Sequence, residues 1–75
     1  MEQSGTGAVH HFSDMRFDSD EKLSANPQFV DRLAMNQTMV EQWNRVVRPG
    51  DTVYHAGEFG NQEWLPLLNG EIVFV

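Results

Sequence analysis

The stretch that decides the fold is WNRVVRPGDTVYHAGEF, which runs from Trp43 to Phe59. It predicts the end of a helix, a tight turn and a short strand. Pro49 and Gly50 stop the helix, because proline cannot continue it and glycine accepts left-handed backbone angles at no steric cost. The residues that follow are good β-formers, so we expect a strand from Thr52 to His55.

Two acidic residues follow closely after predicted strands. Gly57 frees the backbone beyond residues 52–55 and places Glu58 just past the carboxyl end of that strand. Residues 9–12 have β-character and predict a first strand, and Asp14 leaves its carboxyl end. Open α/β sheets bind their ligands at this end of their strands, so Asp14 and Glu58 are the first candidates for site residues.

The rest of the chain predicts one long helix, a short helix and a third strand. Asn26-Pro27 marks the start of the long helix, since asparagine is a good N-cap and proline is tolerated at the first helical position. Apolar residues at three- and four-residue spacing predict its buried face. That face comprises Phe29, Leu33, Val40, Trp43 and Val47, with Val30, Met39 and Val46 beside it. With a short helix at 61–68 and a strand at Glu71–Val75, the order is β-α-β-α-β and the small sheet is three-stranded and mostly parallel.

Composition limits the classes of function. The 75 residues make one domain, and their 40% hydrophobic share is enough for one core. We expect residues 1–8 to be a flexible terminus and residues 9–75 to form the domain. Eleven acidic and five basic residues give a formal charge of −6, which opposes direct nucleic-acid binding. The charge suits a partner with a basic surface, or it serves only to keep a small protein soluble. Without a signal-peptide pattern or an apolar run of roughly 20 residues, the sequence predicts a cytoplasmic protein with no membrane contact.

The central stretch resembles the second motif of the calcineurin-like metallophosphoesterases, in particular their small bacterial and phage members. That motif reads W-N-x-x-V-x-P-G-D-x-V-Y-H-x-G-D-F, and this chain has Glu58 in place of its last aspartate. The family's S-D-x-H-F resembles residues 13–17, and its L-N-G-x-I-x-x-V resembles residues 68–75. The resemblance implies an α/β fold that is the N-terminal half of a metallophosphoesterase. Its structural positions match Trp43, Pro49, Gly50 and Gly57.

The family's chemistry uses two divalent metal ions, which hold a phosphate ester and generate a bound hydroxide. Asp14 lies at the family's first aspartate, and Glu58 lies at the aspartate that bridges the two ions, so both are vestigial ligand candidates. Arg16 lies where the family has a histidine, and a guanidinium offers only donors. The G-N-H-(D/E) motif and later histidines are not among the 75 residues. We therefore expect no catalytic residue, no cofactor, and an ion pair between Arg16 and Asp14 or Glu58.

Acidity together with an incomplete metal site favours a non-catalytic protein-binding module on a metallophosphoesterase scaffold. Phage and mobile-element inhibitors of the anti-CRISPR type act in this way, mimicking nucleic acid to block a basic groove, and they work in the host cytoplasm. The partner-binding candidates are Asp14, Asp18, Asp20, Glu21, Glu58 and Glu63. The alternative is a metal-dependent phosphoesterase fragment that needs its C-terminal half and two ions such as Mn²⁺ or Ni²⁺.

The third strand predicts a further contact. Residues 71–75 read EIVFV, and an apolar strand at the edge of a sheet invites pairing with another chain. We expect a homodimer through Glu71–Val75, or a partner that adds a strand or packs on the exposed face of the sheet.

Overall fold

A computed structural model of the chain describes residues 7–75. The flexible terminus predicted for residues 1–8 therefore lies largely outside the described residues. Ala8 is described, and it is held in place. Its N–H donates to a carboxylate oxygen of Asp51 at 2.9 Å, and its carbonyl accepts from Thr52 N–H at 2.9 Å. The backbone pairing of the first strand thus extends to Ala8, the last residue of the predicted terminus.

The strands form the predicted three-stranded parallel sheet. They are β1 (Val9–Ser13), β2 (Thr52–Ala56) and β3 (Glu71–Phe74), in the spatial order β1-β2-β3. Both neighbouring pairs are parallel, with Val9 opposite Thr52 and Thr52 opposite Glu71. The chain is thus a small α/β domain, as the sequence indicates.

Two helices, not one, connect β1 to β2: α1 (Asp20–Ala25) and α2 (Arg32–Val46). The predicted start at Asn26-Pro27 is wrong, because Asn26 is the C-cap of α1 and Pro27 lies in the turn that follows. Ser19 caps α1 and Asp31 caps α2, each by accepting the backbone N–H three residues on. No helix within residues 7–75 has the length and apolar composition of a membrane span.

The connection from β2 to β3 is a 3₁₀ helix, Gln62–Leu67, where the sequence predicts a short α-helix. Asn61 begins it by accepting the N–H of Glu63 at 3.0 Å. Pro66 lies inside the helix and has no N–H to donate, so it does not support a regular α-helical ladder. The strict β-α-β-α-β order is therefore replaced by β1-α1-α2-β2, then the 3₁₀ helix and β3.

The core lies between α2, the sheet and the 3₁₀ helix. Its buried residues are Phe17, Met35, Met39, Trp43, Val47, Val53, Phe59 and Leu68. On α2 the buried stripe runs through Met35, Met39 and Trp43, which is shifted from the predicted one. Leu33 is 55% exposed because α2 begins only at Arg32, so Leu33 lies in its first turn.

The turn between α2 and β2 is tied down at several points. Gly50 has a φ of 98°, and Asp51 N–H donates to the carbonyl of Arg48 at 3.0 Å, which is the pattern of a proline-glycine type II turn. The Asp51 carboxylate accepts from Arg48 N–H at 2.9 Å and from the His10 imidazole at 2.9 Å. The turn thereby holds β1 as well as β2.

Trp43 and Asn44 connect the end of α2 to the turn before β3. The indole N–H of Trp43 donates to the carbonyl of Asn69 at 3.0 Å. Asn44 accepts the N–H of Asn69 at 2.8 Å, and the amide of Asn69 donates to the carbonyl of Val47 at 3.0 Å. These bonds fix where β3 enters the sheet.

Candidate functional site

The carboxyl ends of β1 and β2 bring Asp14 and Glu58 together. The backbone pairing continues beyond the strands, since Asp14 N–H donates to Ala56 at 3.0 Å and Phe17 N–H donates to Phe59 at 2.8 Å. The Asp14 carboxylate accepts the N–H of Glu58 at 3.0 Å. The two acidic residues therefore share one edge of the sheet.

Gly57 permits this close approach. Its φ is 75°, in the left-handed region that glycine adopts without strain. A Cβ at position 57 would overlap the Asp14 carboxylate. Any other residue at this position would displace the Asp14 side chain. This is a physical reason for a glycine at position 57, which the sequence predicts to have a structural role.

The segment after β1 contains three non-glycine residues with left-handed backbone angles. Asp14, Arg16 and Asp18 have φ of 52°, 55° and 66°. Aspartate tolerates this conformation better than most residues, whereas for arginine it is strained by about 1–2 kcal/mol. Such strain is often found at functional sites. The pairing with residues 56–61 holds the segment in this shape.

Arg16 does not form the predicted ion pair. Within residues 7–75, its guanidinium makes no salt bridge with Asp14 or Glu58. Arg16 contacts this edge through its backbone N–H instead, which donates to the carbonyl of Glu58 at 3.2 Å. The side chain is exposed, and an ion pair in water gains little because both charges are already well solvated.

His55 lies beneath this edge, fully buried on β2. Its Nε2 accepts the N–H of Met15 at 3.3 Å, which uses the lone pair that a metal would need. Burial lowers the pKa of His55, and the nearby charge of Asp14 opposes that shift. Its Nδ1 has no hydrogen-bond partner among the described residues. The ring packs edge-on against those of Phe59 and Phe74, which also contact each other.

The possible metal donors at this edge come from the part of the chain that the structure describes. Within residues 7–75, no three or more His, Cys, Asp or Glu side chains are grouped so that they could hold a metal ion. Asp14 and Glu58 are the two carboxylates that could contact one. One oxygen of Asp14 already accepts a backbone N–H, which leaves the other oxygen and the Glu58 carboxylate.

Asp18 differs from the other acidic candidates, because its carboxylate accepts hydrogen bonds from three other side chains. It accepts from the amide of Asn36 at 2.6 Å, the amide of Asn61 at 2.7 Å and the indole N–H of Trp64 at 3.0 Å. The Trp64 hydrogen bond is the main reason why the pKa of Asp18 lies below its usual value. Asp18 therefore joins the segment after β1 to α2 and to the 3₁₀ helix.

Sequence reasoning missed the three partners of Asp18. Asn36 is fully buried in α2, and its carbonyl oxygen accepts the N–H of Asp18 at 3.0 Å. The one signal in the sequence is that Asn36 interrupts the apolar stripe of the helix, since a buried amide needs a polar partner. Asn61 and Trp64 carry no such signal.

The remaining acidic candidates are exposed and follow the carboxyl ends of β1 and β2. Asp20 lies at the start of α1, 3.6 Å from the guanidinium of Arg32, and its side chain is 81% exposed. Glu21 follows it, and Glu63 lies in the first turn of the 3₁₀ helix. We call the exposed acidic residues that come after β1 or β2 in the chain the acidic edge. They are Asp14, Asp20, Glu21, Glu58 and Glu63, of which Asp14 and Glu58 are joined directly by a hydrogen bond.

The fold and the edge define a small parallel α/β domain with carboxylates at the ends of two adjacent strands. The chain is similar to an uncharacterised protein of Methanocaldococcus jannaschii, with 36% identity over 76 residues. The match covers 89% of this chain and 43% of the archaeal protein, so the chain spans less than half the length of that relative. No protein-family model matches the chain, and no solved structure matches it.

Proposed function

We propose that the chain is a non-catalytic protein-binding module on a metallophosphoesterase-like scaffold. The acidic edge docks against the basic surface of a protein partner and occupies the place of nucleic-acid phosphates. An inhibitor from a phage or mobile element, of the anti-CRISPR type, is the biological form of this activity that we favour. Two divalent ions are not part of the proposal.

The observation that carries the proposal is the rigid support of the acidic edge. Asp14 accepts the backbone N–H of Glu58, and Asp18 accepts hydrogen bonds from Asn61 and Trp64. Both aspartates thus connect the segment after β1 to the segment after β2. The backbone that carries Asp14 and Glu58 is therefore braced on both sides. Fixed charges lose less conformational entropy on binding than charges on mobile loops, which favours affinity for a fixed basic surface.

The chemistry of the edge also supports binding over catalysis. Arg16 stands at the position where the resembling family has a metal-binding histidine, and its guanidinium cannot ligate a cation. His55 uses Nε2 for the N–H of Met15. What remains is a set of solvated carboxylates, which attract basic groups at long range and make association sensitive to salt.

The test is affinity capture with the immobilised chain from a bacterial lysate at low and high salt, followed by identification of the captured proteins. We expect basic, nucleic-acid-binding proteins that are released by salt. A variant with Asp20→Asn, Glu21→Gln, Glu58→Gln and Glu63→Gln should reduce their capture at least tenfold. The control, Glu41→Gln with Glu71→Gln, removes two exposed acids outside the edge and should capture normally, whereas Glu58→Gln with Glu63→Gln, which removes the same charge from the edge, should not.

Two results would count against the proposal. One is a captured set without basic proteins. The other is equal capture by the edge variant and the control variant, because a surface whose charge does not matter is not the binding surface. Circular dichroism of both variants checks that neither has lost its fold.

A second candidate function follows from the juxtaposition of Asp14 and Glu58. They occupy adjacent strand ends, as the ligands of a metal-dependent phosphoesterase would, and the archaeal relative has more than half of its length outside the match. Its test is hydrolysis of bis-p-nitrophenyl phosphate with Mn²⁺ or Ni²⁺, by the chain alone and mixed with the unmatched part of the relative. Activity that Asp14→Ala abolishes and Asp20→Ala preserves would support this function. No hydrolysis by the chain alone or by the mixture would contradict it.

A further inference from the structure

We propose that β3 pairs antiparallel with β3 of a second copy of this chain, about a two-fold axis at Val73. The two sheets then form one continuous six-stranded sheet. This contact does not use the acidic edge, so it stands or fails independently of the proposed function.

The hydrogen bonds of β3 show which of its groups remain free. Glu71 N–H donates to Asp51 at 2.8 Å, and Val75 N–H donates to His55 at 2.9 Å. In a parallel ladder, alternate residues direct both N–H and C=O to the same neighbour. Positions 71, 73 and 75 therefore face β2. Ile72 and Phe74 direct their N–H and C=O groups away from the sheet, and no strand among the described residues pairs with that edge.

The spacing of the free groups selects one register. If Ile72 lies opposite Phe74 of the second copy, each of these two pairs exchanges both of its N–H···O=C bonds. The symmetry of the axis repeats the arrangement, so the contact contains four backbone hydrogen bonds. Val73 then lies directly opposite Val73 of the second copy, in the closely spaced position where Cα atoms are about 4.5 Å apart.

The side chains of this edge are apolar on both faces of the sheet. Phe74 is 44% exposed, although its ring packs at 5.4 Å from the ring of Phe59. In the proposed register, Ile72 of the second copy covers it. On the other face, Val73 and Val75 are 36% and 76% exposed. Glu71 is the one charge on the strand, and it lies at the end farthest from its counterpart.

A second copy fits this edge because antiparallel pairing of β3 with itself closes the assembly after two chains. Pairing of β3 with β1 of another copy would be head-to-tail and would continue into a filament. The contact is one strand of only four residues on each side, whereas stable specific interfaces involve about 20–30 residues a side. We therefore expect a dimer that forms reversibly as the protein concentration rises.

The test compares two exposed residues of the same sheet face, Val73 on the edge strand and Tyr54 opposite it on the central strand. By analytical ultracentrifugation, the wild-type mass should rise from 8.6 kDa towards twice that value at about 1 mM protein. Val73→Lys places two like charges across the axis and should keep the chain monomeric. Tyr54→Lys adds the same charge one strand away and should dimerise as the wild type does.

Crosslinking gives an independent readout, because the chain contains no cysteine. Val73→Cys should form a disulfide-linked dimer under mild oxidation, since the opposed Cα atoms lie within the range that disulfides span. Tyr54→Cys should remain monomeric. Wild-type protein that stays monomeric at about 1 mM, or equal crosslinking of the two cysteine variants, would overturn the proposal.

Discussion

Replacing Asp18 by alanine should remove a large part of the stability of this domain. The carboxylate is the common acceptor for Asn36 of α2 and for Asn61 and Trp64 of the 3₁₀ helix and its cap. Its loss leaves the fully buried amide of Asn36 without its partner. It also detaches the segment after β1 from both α2 and the 3₁₀ helix.

The size of the effect follows from the three bonds. Hydrogen bonds to a charged group contribute about 1.5–3 kcal/mol each, and partial exposure of Asp18 brings the value towards 1 kcal/mol. We therefore expect a loss of about 3 kcal/mol for Asp18→Ala. Domains have about 0.05–0.15 kcal/mol of stability per residue, or roughly 4–11 kcal/mol for a chain of this length. The variant should therefore retain about 1–8 kcal/mol of that stability.

The assay is urea unfolding followed by circular dichroism and tryptophan fluorescence. With a slope of about 1 kcal/mol per M, the midpoint should fall by about 3 M for Asp18→Ala. Asp18→Asn keeps an acceptor oxygen and tolerates the φ of 66°, so it should lose about half as much. Asp20→Ala is the matched control, because that carboxylate is exposed, and its midpoint should change by less than about 0.5 M.

Equal midpoints for Asp18→Ala and Asp20→Ala would refute the reasoning. That result would mean that the three bonds to Asp18 contribute no net stability and that its carboxylate is as free as the others. Asp18 would then return to the set of partner-binding residues. A graded series, with Asp18→Asn between the wild type and Asp18→Ala, is the outcome that the structure predicts.

Two further predictions concern the backbone and the response to acid. Gly60 and Gly50 have similar φ values of 90° and 98°, but a Cβ at position 60 would meet the backbone of Phe17, whereas one at position 50 would meet nothing within 4 Å. Gly60→Ala should therefore lower the melting temperature more than Gly50→Ala. Equal melting temperatures for the two variants would contradict this. The Arg48 N–H is the main reason that the pKa of Asp51 falls to about 2 from its ordinary 3.8. A carboxyl with a lowered pKa in the folded state contributes stability above about pH 4, and this contribution is lost as the pH falls towards 2. Over that interval, the melting temperature of Asp51→Asn should therefore change less with pH than that of the wild type.

The strands could be predicted because their signals are local. The proline-glycine turn and the β-formers after it place β2 to within one residue, and the apolar run IVF places β3. Once three strands are parallel neighbours, Asp14 and Glu58 must lie at the same edge. Their juxtaposition therefore follows from the topology, without knowledge of any side-chain contact.

The helices were predicted less well, because residues that favour a helix start by local preference need not form one. Asn26-Pro27 has such residues, yet Asp31, five residues after Asn26, caps α2. Ser19 and Asp31 act as the caps, and Asn26 N–H donates instead to the carbonyl of Leu23 at 3.0 Å, which closes α1. Residues 27–31 then form the turn that lets α2 lie along the core.

The sequence by itself determined the parallel α/β sheet and the edge where its carboxylates gather, because periodicity and turn chemistry act between near neighbours in the chain. Only the tertiary structure decided which carboxylates are free. Asp18 and Asp51 are held by donors up to 46 residues away, whereas Arg16 stays in water without the partner that its sequence position predicts. Contacts at such separations depend on how whole elements pack, and no local pattern records them.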